Sequence, residues 1–160
     1  MTNYASGTSV NSDRSRAEIE TTLSRFGASG FGYYTDMTKR IAQIGFTHSG
    51  LSIRIEVSLP DPSAEEFVMR PSSSKRRKDD QARAAYEAEV RRRWRCLCLL
   101  VKAKLVAVED RISTFEQEFL PYIVTSDGAT VYDRMAPALE ASRGKPHGVV
   151  LAITDGKRGS

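Results

Sequence analysis

Histidine and cysteine are scarce in this chain of 160 residues, with two of each, and that scarcity removes several kinds of chemistry. His48 and His147 stand in separate loop-like settings, so neither a histidine relay to a nucleophile nor a histidine-rich metal site finds its residues. Cys96 and Cys98 lie too close in sequence for an ordinary stapling disulfide and read as reduced, buried thiols. A shared metal does not suit them, because side chains two apart on a helix diverge by about 200°. No phosphate-binding G-x-x-x-x-G-K-[ST] loop and no G-x-S-x-G elbow occurs. GASGFG (27–32) leads into a strand pattern instead of opening a helix and reads as a turn. No run of about 18 apolar residues is long enough to span a bilayer, and Met1 to Asn11 has neither a basic start nor an apolar stretch of secretory type. The expectation is a cytoplasmic protein without membrane contact and without a cofactor. No internal repeat is visible.

Apolar residues make up 40% and charged residues 28%, an ordinary balance for a folded domain of one core. The net charge is +4, from 24 Lys and Arg against 20 Asp and Glu. It is unevenly placed: Lys75 to Lys104 holds eleven basic and four acidic residues, so this stretch carries +7 and the remainder −3. Such a concentration attracts polyanions, nucleic acid first among them; a solvated helix face is the plainer alternative.

The patterning implies an α+β protein: an N-terminal helix, a three-stranded antiparallel meander, one long amphipathic helix and a short C-terminal helix. Residues 1–14 read as a flexible arm, 15–143 as a single α+β domain and 144–160 as a C-terminal tail. Ser15-Arg16-Ala17-Glu18 fits a capping box; Ile19, Leu23 and Phe26 follow at helical spacing, and Gly27 supplies a stop. FGYYT (31–35), AQIGFT (42–47) and LSIRIEVSL (51–59) read as strands, the last alternating without error. Residues 60–80 read as a long loop with a flexible basic section at Ser72–Lys78. From Tyr86 to Phe119 the apolar residues recur every 3.7 residues or so, about the α-helical period, with a break expected at Ser113-x-x-Glu116. IVTSDGATV turns at Asp127-Gly128, and Thr130 to Asp133 can cap a helix reaching Ser142 and bent at Pro137. VVLAI (149–153) forms an apolar stub.

The segment RRRWRCLCLL (91–100) concentrates the question of function. On a helical wheel Trp94 joins Val90, Leu97, Val101 and Leu105 in an apolar stripe, so it belongs to the core. Arg91, Arg95 and Lys102 form one basic flank, Arg93 and Lys104 a second. Cys96, Leu99, Leu100 and Ala103 take the side opposite Trp94, which must be enclosed by the domain or packed on a homodimer partner or a host protein. The candidate nucleic-acid contacts are Lys75, Arg76, Arg77, Lys78, Arg91, Arg92, Arg95 and Lys102. Arg54 adds to them on the wet sheet face, beside Gln43 and one of Tyr33 and Tyr34. Helix, three strands, helix is also the order of the double-stranded-RNA-binding domain, an analogy of topology alone. Asp61, Glu65 and Glu66 suggest a metal-dependent nuclease as a third reading, without the E-x-K partner such a site uses.

RSRAEIETTLSRFGASGFGY, the strand ending in LPDP, and RRRWRCLCLLVKAKLVAVE with FEQEFLPYIV and DGATVYD together resemble small uncharacterised proteins of tailed phages and prophages, over most of residues 14–133. The resemblance implies a phage origin and a setting in the host cell cytoplasm; it carries over no enzymatic activity and no site residues. It favours a protein that binds DNA rather than RNA, or one that binds and inhibits host machinery. The leading expectation is therefore a non-enzymatic nucleic-acid-binding protein. The alternative is a protein-binding module using the apolar helix face or the VVLAI tail.

Overall fold

In the computed structural model, which describes residues 6–145 and their side chains from residue 12 onward, the alternating LSIRIEVS folds as β3 (Leu51–Ser58). It pairs antiparallel with β2 (Ile41–His48), which pairs antiparallel with β1 (Ser29–Asp36), and the expected meander results. The β2–β3 connection is two residues, Ser49 and Gly50, with φ of 49° and 78°. Positive φ at both positions makes the turn whose twist matches that of the strands, and glycine adopts it without strain. Ile44 faces Ile55 and Phe46 faces Ile53 across the ladder, all buried on one face. Gln43, Arg54 and Glu56 take the other.

Helix α1 (Ser6–Arg25) begins well before the S-x-x-E box and reaches into the segment expected to be an arm. Ser15 is buried within the helix, and Glu18 bonds Arg95 and Lys102. The pattern that resembled a cap is thus used in tertiary packing. Gly27, at φ 90°, does end the helix: its N–H donates to Ser24 O and that of Ala28 to Leu23 O, both at 3.0 Å, a Schellman closure.

The segment expected to be a long loop at 60–80, with a flexible section at Ser72–Lys78, instead holds regular structure. Helix α2 (Glu65–Val68) leads into a hairpin of β4 (Met69–Arg70) and β5 (Ser73–Arg76). Its anchor is Phe67, 5% exposed, whose ring meets Tyr86 edge-on at 5.7 Å. That contact joins residues far apart in sequence, which composition alone does not reveal.

Helix α3 (Asp79–Glu109) has 31 residues and spans about 46 Å at 1.5 Å per residue. Val90, Trp94, Leu97, Cys98, Val101 and Leu105 are buried in one core with Ile19 and Leu23 of α1 and the inner face of the sheet. The break near Ser113 occurs, with a different cap. Thr114 accepts from the Gln117 N–H while Gln117 Oε1 accepts from the Thr114 N–H, and Ser113 instead donates to Glu118. Helix α4 (Phe115–Phe119) then places Phe115 and Phe119 in the core. Ile123 bridges to Ile53 at the edge of β3, and the chain turns back at Gly128. Thr130, with Asp133, caps α5 (Val131–Ser142) as expected; Pro137 lies inside it and none of its residues is buried. His147 and VVLAI lie outside the described residues.

Candidate nucleic-acid interface

The basic run Lys75 to Lys78 is divided by the fold. Lys75 and Arg76 lie on β5, Arg77 follows it, and Lys78 occupies the N-cap position of α3 without a side-chain cap bond. Arg77 is a strut: its N–H donates to Val68 O at 2.8 Å and its Nη1 to Phe67 O at 3.3 Å. Lys75, Arg76 and Lys78 are exposed and take part in no ion pair among the described residues. Arg70, on the opposite strand, is exposed as well. Asp79 and Asp80 follow in the first turn of α3, where the helix dipole favours negative charge.

Arg92, Arg93 and Arg95 of α3 have other work. Glu89 accepts from Arg92 Nε at 2.7 Å and from Arg93 Nε at 3.0 Å, and the Arg92 bond foremost holds its carboxyl down to about 2. Arg93 also donates to Ser58 O. Arg95 donates to Glu18 at 2.8 Å, and Lys102 bonds the other oxygen of that carboxylate; the Lys102 bond foremost lowers the Glu18 pKa. The flank expected to be open for phosphates thus ties α3 to α1. Arg91 is half-buried and in no ion pair among the described residues. Tyr86, which seats α2 and the hairpin, shares the shoulder of Arg93 and Lys104 rather than that of Arg95 and Lys102. The two basic groups therefore do not merge.

On the outer sheet face it is Tyr34, 56% exposed, that joins Gln43 and Arg54. Tyr33 turns inward, donates to Arg16 O at 2.8 Å and meets Trp94 edge-on at 6.4 Å. Gly32 and Gly45, side by side across the ladder, leave a shallow trough of about 370 Å³ beside Tyr34. Arg54 at its rim lies 3.8 Å from Asp133, and Gln43 donates to Glu56 at 2.8 Å. A larger cleft, about 710 Å³, opens between α1, the start of α3 and the Leu59–Pro62 segment. Its floor includes Trp94, Val90 and Tyr86, its rim Arg16 and Asp80. Segments distant in sequence build it, and no local pattern announced it.

The two cysteines separate as the wheel required, with one correction: Cys98 is buried, Cys96 exposed. Burial pushes the Cys98 thiol pKa up. Leu99, Leu100 and Ala103 are exposed beside Cys96, so among the described residues nothing encloses this face of α3. Of the carboxylates weighed for a metal, Asp61 pairs with Arg40 and accepts two bonds from Ser63, which hold it at about 2. Glu65 and Glu66 are exposed in the first turn of α2. No three His, Cys, Asp or Glu side chains converge to hold a metal ion among the described residues, and no described helix is long and apolar enough to cross a membrane.

No family model, curated protein or solved structure matches the chain.

Proposed function

We propose that this chain is a non-enzymatic, phage-type cytoplasmic protein that binds nucleic acid, DNA in preference to RNA, chiefly through phosphates. The observation that carries this reading is the β4–β5 hairpin and the helix start beside it: Lys75 and Arg76 on β5 and Lys78 at the N-cap of α3 are exposed and without ion-pair partners among the described residues. Exposed, unneutralised cations meet phosphates with little loss of side-chain pairing elsewhere. Arg95 and Lys102, held by Glu18, contribute only to the wider field. Tyr34 beside the glycine trough offers a stacking surface for an unpaired base.

Binding of single- and double-stranded DNA and RNA across a salt series tests this directly. Affinity should fall steeply with salt, and Lys75→Gln, Arg76→Gln and Lys78→Gln together should flatten the logarithmic slope by almost one per charge. Binding that ignores salt, or that survives the triple substitution unchanged, overturns the reading. A second reading, contact with another protein, is favoured by the uncovered apolar face of α3.

A further inference from the structure

The outward face of α3 has an order beyond mere exposure. Arg92, Cys96, Leu99, Ala103 and Val106 of α3 and Asp110 at its C-cap follow one another at alternating steps of four and three residues, and all are exposed. That is the spacing of a coiled-coil seam, and it lies about 160° around the helix from the buried Trp94 stripe. The six positions are also symmetric about Val101. Laid antiparallel on a second copy, Arg92 meets Asp110, Cys96 meets Val106, and Leu99 meets Ala103. The same three contacts recur beyond the two-fold axis. Opposite charges then close both ends, and Leu99, 51% exposed in the single chain, faces a small residue. A parallel pairing would set Arg92 on Arg92 and Asp110 on Asp110, repulsive at both ends. Two-fold interfaces need a surface complementary to itself, and what makes this seam so is the opposite sign of its two ends, Arg92 and Asp110.

From these positions we infer that the chain self-associates as an antiparallel dimer through this face of α3. This rests on the protein-contact reading of the same face, names its occupant as a second copy of the chain, and is independent of nucleic-acid binding by the hairpin. The neighbouring groups suit it. Glu89 accepts from Nε and Nη2 of Arg92 and so lays the guanidinium along the helix, leaving Nη1, 3.7 Å from Cys96 Sγ, towards the seam. Leu100 flanks the seam next to the axis, where it approaches Leu100 of the second copy. Lys102, also near the axis, has its ammonium engaged by Glu18.

Sedimentation equilibrium of the full chain reads the association, and cysteine cross-linking reads the register. The wild type should show a monomer–dimer equilibrium at micromolar concentration. Leu99→Glu, which places two unpaired carboxylates in the seam, should raise the dissociation constant ~100-fold or more; an unchanged far-UV spectrum shows the variant folded. Under mild copper–phenanthroline oxidation, Val106→Cys should link position 106 of one copy to Cys96 of the other, with buried Cys98 unlinked. The wild type should form no Cys96–Cys96 link, because those residues stand about 15 Å apart along the pair and a disulfide joins Cα atoms ~6 Å apart. A monomer at every concentration, a dimer indifferent to Leu99→Glu, or a Cys96–Cys96 link each overturns the inference. Coverage of the face by the chain's own tail or by another protein would leave the purified chain monomeric and so overturns it too. Salt-dependent nucleic-acid binding by the Leu99→Glu protein is a separate readout, so failure of the dimer and failure of the hairpin reading are distinguishable.

Discussion

Trp94 is 1% exposed and is enclosed from three directions: Tyr33 of β1 edge-on at 6.4 Å, the Arg16 guanidinium of α1 over its ring at 4.5 Å, and the core stripe of its own helix. Trp94→Ala should destabilise the protein by about 3–5 kcal/mol, since the ring leaves a cavity that three elements share; urea unfolding measures it. Asp61 shows the other residue-scale effect, a carboxylate fixed by local bonds. The Ser63 hydroxyl foremost, then the Ser63 N–H and Arg40, bring its pKa from 3.8 to about 2. A folded value below the ordinary one means that ionised Asp61 adds stability above its ordinary pKa, and that this contribution fades as pH falls towards the folded value. Asp61→Asn should therefore be less stable than the wild type at neutral pH, with the difference closing between about pH 4 and pH 2. Urea unfolding at stepped pH checks the direction.

Between elements, the caps and connections decide where helices stop. Thr114→Ala should cost about 1 kcal/mol by removing the acceptor for the Gln117 N–H, measured by thermal or urea unfolding. Ser113→Ala removes no cap bond and should leave the start of α4 in place. Both residues sit in plausible capping sequences, and only the backbone path distinguishes them. The strands and the long helix were legible because their signals are local: the period of two in LSIRIEVS and the period near 3.6 along α3 each lie within one element. The hairpin was not legible, because Phe67 gains its order from Tyr86. Nor was the fate of the helix arginines: Arg95 and Lys102 find Glu18 across separations of 77 and 84 residues. A basic run in sequence records charge, whereas its partners are a property of the fold. For the same reason the cysteine pair was half legible, its divergence following from helix geometry and the exposure of Cys96 from what fails to pack there.

Across the molecule, α1, the sheet, α3 and α4 contribute to one continuous core, so these elements should open together, in the global unfolding transition. Cys98 offers a test, as it is fully buried on the core side of α3 and its thiol pKa is raised by burial. In a Cys96→Ser background, reaction of Cys98 with a thiol reagent should follow the global unfolding equilibrium through a urea series; labelling well below the unfolding midpoint would reveal a looser core. The placement of Trp94 has one more consequence. It is the chain's one tryptophan, packed where α1, β1 and α3 meet, so the protein carries a built-in optical gauge. Its ultraviolet emission should be blue-shifted while those three elements hold together and should move to the red when any one of them withdraws, with no dye or label attached.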